Sequence, residues 1–152
     1  MNKFKVFFKS ILIPVLVGGL VGLIMSGSID YNSLIQPKFA PPSFLFPIVW
    51  TILFILMGIS YGILEINNKT SQKIKKIYYS QLFVNALWSI FFFVFKWRLF
   101  AAFWILLLLI LIIKMIIDFY KENKISGLLQ IPYLLWTIFA TYLNWSIYFL
   151  NR

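Results

Sequence analysis

Five long apolar stretches dominate this sequence, and each is long enough to cross a bilayer. They run roughly over 6–26, 44–64, 77–95, 99–119 and 125–150. About 20 residues suffice, because about 30 Å of hydrocarbon is crossed at about 1.5 Å per residue. Lipid offers the backbone no hydrogen-bond partner, so each stretch reads as a helix. The alternation of a membrane β-barrel is absent, and the stretches are too long for its strands. The expected fold is all-α: an integral membrane bundle of five transmembrane helices forming a single domain over 1–152. The chain is 62% hydrophobic, against about 45–50% for an ordinary soluble domain. The first stretch, preceded by Lys3, Lys5 and Lys9, could pass for a signal peptide. It is long and lacks a clear small-x-small cleavage site, so it reads as a retained helix.

The charges lie mainly between these stretches and set an orientation. With the N-terminus inside, the inner side holds Lys3, Lys5, Lys9, Lys69, Lys73, Lys75, Lys76, Lys114, Lys121 and Lys124, and the outer side holds Lys38, Lys96, Arg98 and Arg152. That is a positive-inside bias, which places the C-terminus outside. It also accounts for a net charge of +10 without nucleic acid. Lys114 is expected to snorkel and to pair with Asp118 one turn on. A multi-pass protein of the cell membrane follows, with the lipid bilayer as its first partner. The longest connection, about 27–43 on the outer side, is a candidate lid.

Several faces of these helices are polar or aromatic where lipid contact would demand aliphatic residues. Gln81, Asn85 and Ser89 recur every four residues in the third stretch, with Trp88 beside them. In the fifth, Gln130, Tyr133, Trp136, Thr137, Ala140 and Asn144 fall within a sector of about 120°. Trp50, Phe54, Met57 and Tyr61 form a stripe on the second. Each alone reads as interhelical glue or core; three helices that each carry such a face point to a cavity. Pro41, Pro42 and Pro47 stiffen the entrance to the second stretch and fix the direction of Trp50. Gly18 and Gly22 form a GxxxG that serves either packing within the monomer or a dimer seam.

Aromatic walls with few polar groups suit a flat, apolar ligand. The chain has no cysteine and no histidine. Disulfides, Cys/His metal sites, haem held by an axial His or Cys and a Ser-His-Asp triad are thereby excluded. Neither a metal nor a resident cofactor is expected. Four acidic residues leave little for general acid–base hydrolysis. A metal-free tetrapyrrole, a sterol or another polycyclic molecule fits the composition.

The stretches "QPKFAPPSFLFPIVWTILFILMGISY", "QLFVNALWSIFFF" and "PYLLWTIFATYLN" resemble the translocator protein family, also called tryptophan-rich sensory proteins or peripheral benzodiazepine receptors. The resemblance covers nearly the whole chain. It implies five transmembrane helices, usually a homodimer, and an internal pocket for porphyrins and benzodiazepine-site ligands. Carried over, the pocket would comprise Tyr31, Pro41, Trp50, Asn85, Trp136, Ala140, Leu143 and Asn144; the faces above add Phe54, Trp88 and Ser89. Bacterial members are associated with light- and oxygen-dependent breakdown of protoporphyrin IX, and Trp50 and Trp136 match the tryptophans implicated there as catalytic. Ala86 stands where many relatives carry another tryptophan. Leu143, Tyr148 and Arg152 satisfy a loose sterol motif of little specificity. A porphyrin shuttle and a ligand-occupied sensor are the competing readings.

Overall fold

The computed structural model describes residues 2–152, which form six α-helices and no strand. They are α1 (Lys3–Met25), α2 (Leu45–Ile66), α3 (Gln72–Ser89), α4 (Arg98–Glu122), α5 (Lys124–Leu128) and α6 (Ile131–Asn151). Five helical stretches are long and apolar enough to cross a membrane, with α5 and α6 together supplying the fifth. The chain is therefore a multi-pass membrane protein of the expected class.

The sequence specifies the helix ends locally. Asn2 Oδ1 accepts from the amide of Phe4 at 2.8 Å and Ser71 Oγ from that of Ile74 at 3.3 Å, which caps α1 and α3. Hydropathy places the start of α3 near 77, yet the helix begins at Gln72; its first turns carry Lys73, Lys75 and Lys76 and are solvated rather than apolar. The fifth predicted helix is broken. Pro132 lacks an amide hydrogen, and its ring would strike the carbonyl of Leu128, four residues back. The helix accordingly stops at Leu128 and restarts at Ile131. At its other end, α3 widens into a π turn over Ile90–Val94, where the Phe95 amide reaches back to the Ile90 carbonyl at 3.0 Å.

Packing is tightest near the lysine-rich end of the bundle. A Cβ on Gly58 would collide with the backbone of α1 at Ile11, and one on Gly62 would lie 2.8 Å from the Phe7 ring. Gly58 and Gly62 are thus the GxxxG that draws two helices together. In α1, Gly18 packs on the Phe54 ring, whereas nothing lies within 4 Å of a Cβ added at Gly22. Ser60 and Ser126 exchange hydroxyl-to-carbonyl bonds, both 2.7 Å. Tyr61 and Tyr78 stack with ring centroids 4.3 Å apart. Asp118 pairs with Lys73 of α3 at 3.4 Å rather than with Lys114: the carboxylate faces inward, and Lys114 is exposed.

Candidate ligand-binding cavity

Towards the end of the bundle that carries the 27–44 connection, α1, α2, α3 and α6 enclose a cavity of about 500 Å³. It lies within the range of small-molecule sites, about 300–1,000 Å³. Trp50 and Phe54 of α2, Asn85, Trp88 and Ser89 of α3, and Trp136, Ala140, Leu143 and Asn144 of α6 all line it, and Tyr31 closes it from the connection. Pro41 does not line it. Its carbonyl instead accepts from the Tyr31 hydroxyl at 2.8 Å and holds that ring in place. Burial pushes the Tyr31 phenol above its ordinary pKa, so it stays a neutral donor.

The rings form two groups. Trp50 has its centroid 5.8 Å from Phe54, 6.5 Å from Trp88 and 6.3 Å from Tyr133. Trp136 lies 5.9 Å from Phe46, which meets Tyr31 edge-on at 5.0 Å. Leu45 and Phe46, the first residues of α2, bond back to Pro42 and Ser43, so the proline-rich entrance positions Phe46 as well as Trp50.

Two hydrogen-bonded chains fix the polar groups of the wall. The Trp88 indole donates to Asn144 Oδ1 at 2.8 Å, and Asn144 Nδ2 donates to the Arg98 carbonyl at 2.9 Å. Arg98 in turn grips Asp30 of the connection at 2.6 Å and lies over the ring of Phe92. In the second chain, Gln81 Nε2 donates to the Tyr78 carbonyl at 2.8 Å, the Tyr133 hydroxyl donates to Gln81 Oε1 at 2.8 Å, and Asn85 Nδ2 donates to the Tyr133 oxygen at 2.7 Å. A backbone carbonyl can only accept, so it sets the sense of each chain. Gln81, Gln130, Tyr133 and Thr137 share the polar faces read from sequence, but they lie in the interior and not on the cavity wall.

Sequence reasoning missed Phe46, Phe92, Phe93 and the contribution of α1. Phe92 was accessible in principle, standing one turn after Trp88 on the same face. For α1 the only signal was its glycines, which read equally well as packing. Among the described residues, no cluster of acidic side chains could hold a metal ion.

Residues 10–150 fit the model of the TspO/MBR family. The chain belongs to the TspO/MBR family. It is 39% identical over 124 residues to the "Tryptophan-rich protein TspO" of Chlorobaculum tepidum, covering 80% of this chain and 78% of the relative. Its similarity to the protein of the same name from Archaeoglobus fulgidus is 39% over 122 residues, 80% and 79% of the two chains. The "Tryptophan-rich sensory protein" of Cereibacter sphaeroides is 30% identical over 121 residues, 80% and 76%. The TspO/MBR match covers every residue that lines the cavity.

Proposed function

We propose that this TspO/MBR protein binds a flat, metal-free tetrapyrrole such as protoporphyrin IX in the cavity and promotes its light- and oxygen-dependent degradation. The observation that carries this reading is the wall itself: Trp50, Trp88 and Trp136 around about 500 Å³, in a chain with no histidine or cysteine. Such a wall suits a large π-system. A photoexcited tetrapyrrole held there can take an electron from an indole or pass its energy to oxygen. A ligand held in one orientation is then oxidised at one position. Trp50 and Trp136 are the proposed catalytic residues. Benzodiazepine-site ligands are expected to compete for the same space, and a homodimer is the expected assembly. In this reading the lysine-rich end faces the cytoplasm, by the positive-inside rule.

A sensor is the second reading, favoured by the name of the Cereibacter sphaeroides relative. The experiment is to incubate purified protein with protoporphyrin IX in light and darkness, with and without oxygen, and to follow the absorption spectrum. A discrete product is expected only in light with oxygen. The Trp50→Phe, Trp136→Phe double variant should still bind but lose that product. Bleaching of both proteins at the rate of free porphyrin removes the catalytic role and leaves a carrier or sensor.

A further inference from the structure

Among the described residues, no charged side chain lines the cavity. Its polar groups are amides, hydroxyls and indoles, all neutral. A tetrapyrrole such as protoporphyrin IX is not neutral: one edge of its macrocycle is hydrocarbon, and the other carries carboxylates. A carboxylate without a cationic or hydrogen-bonding partner is strongly disfavoured in apolar surroundings. The acid edge of such a ligand must therefore stay where a cation can meet it.

Lys96 stands at that place. Along α3 and the π turn the cavity wall runs through Asn85, Trp88, Ser89, Phe92 and Phe93, towards the 27–44 connection. Lys96 follows Phe93 by three residues, and its Nζ donates to the carbonyls of Phe93 and Ser28, both at 3.1 Å. Phe93 lines the cavity, and so do Ser26 and Ile29 on either side of Ser28. Ser26 and Ile29 are also exposed, so the cavity reaches the surface beside this ammonium group. An ammonium has three N–H donors. Two are taken by neutral carbonyls, and Asp30, at 3.9 Å, is too far for a hydrogen bond. Arg98 already holds that carboxylate at 2.6 Å. Two cations thus share one carboxylate, and the Lys96 side chain, 46% exposed, keeps a free donor and a positive charge at the opening. The backbone adds to this. Lys96 has a φ of 57°, in the left-handed region where glycine is the least strained residue. A lysine there places strain at the one cation beside the opening, and strain of this kind gathers at ligand sites.

We propose that Lys96 binds a carboxylate of the ligand at the opening and thereby sets which way round the ligand enters. The acid edge stays beside Lys96, and the hydrocarbon edge points inward along the wall towards Asn85. The ligand class is then a flat, apolar molecule with an acid group on one edge only. This rests on the reading that the cavity takes a tetrapyrrole, and not on any photochemistry.

The test compares protoporphyrin IX with its dimethyl ester, which keeps the macrocycle and removes the carboxylate charges. Both are titrated anaerobically by fluorescence against protein in nanodiscs of zwitterionic lipid. Lys96→Gln should weaken binding of the acid about tenfold and change binding of the ester by less than about twofold. Lys96→Arg should keep the affinity for the acid. Equal losses for acid and ester, or no loss for either, overturn the proposal. Lys75→Gln with Lys76→Gln, at the other end of the bundle, should leave both affinities unchanged. A loss of acid binding there equal to that of Lys96→Gln makes the effect one of general charge and also overturns it. Salt gives a measurement on the wild type that needs no variant to fold: it should weaken binding of the acid and spare the ester, and equal responses sink the idea. If the wild type binds neither compound, the tetrapyrrole reading falls and takes this proposal with it. If it binds both and Lys96 makes no difference between them, only the role of Lys96 falls.

Discussion

The two halves of the bundle are made from the same helices and are built on opposite rules. Near the lysine-rich end, small residues let backbones touch: Gly58 and Gly62 admit α1, and Ser60 and Ser126 lock α2 to α5. Near the other end, Trp50, Phe54, Trp88 and Trp136 surround a chamber that they line without filling. The closed half acts as a clamp, so the open half can stay hollow without the helices drifting together or apart. In a lipid setting, where burial from water does not drive helices together, this division is economical, because association rests on close packing and hydrogen bonds.

Identical substitutions should give opposite results in the two halves. Gly58→Ala is expected to destabilise by about 1–3 kcal/mol, through overpacking against α1. Gly22→Ala should stabilise by about 0.5–1 kcal/mol, because its methyl meets nothing and helix propensity improves. Thermal melts of the two variants in one detergent decide this, and equal signs would dissolve the contrast.

A second pair separates stability from binding. Met57 is fully buried below the cavity, and Met57→Ala should cost about 2–5 kcal/mol. Trp50→Ala should cost less, since its ring borders empty space, yet weaken protoporphyrin IX binding about tenfold or more. Fluorescence titration alongside the melts reads both quantities.

The next effect is smaller and lies at the rim. Asp30→Asn weakens the grip of Arg98 on the connection. The pair is partly exposed, so about 1 kcal/mol is expected. Faster release of bound ligand, measured by stopped flow, is the sharper readout.

The smallest effect is a pH dependence. The Tyr31 phenol has a raised pKa, so its contribution is fully present below the ordinary value of about 10 and is lost only as pH rises through the higher folded value. Ligand affinity of wild type and Tyr31→Phe should therefore differ by a constant factor from neutral pH up to that range.

Hydropathy made the five spans legible because lipid contact imposes apolar length, and the 3.6-residue period exposed the faces of α2, α3 and α6. What it could not show was depth. Trp136 and Gln130 share a face of the fifth span, but one borders the chamber and the other lies below it. Nor could sequence tell the two GxxxG motifs apart: Gly58 of "GISYG" meets the α1 backbone, whereas a Cβ added at Gly22 of the other meets nothing within 4 Å, a difference that resides in the opposing helix. Lys114 and Asp118 are one turn apart, yet the buried Asp118 carboxylate turns to α3 and pairs with the exposed Lys73 there. The proline that breaks the last span was visible in the sequence, but apolar length concealed its effect.

The connection over the chamber is fastened mainly through its own backbone. The carbonyls of Ser28, Tyr31, Ile35, Lys38 and Pro41 accept from Lys96, Gln36, Asn151, Tyr142 and Tyr31, and the Ile35 amide donates to Asn151. Any residue supplies a carbonyl. The side chains at 28, 35 and 38 are therefore free to diverge without unfastening the cover, provided position 35 never becomes proline. The constraint falls on the donors, so natural variation should concentrate on one partner of each bond and spare the other.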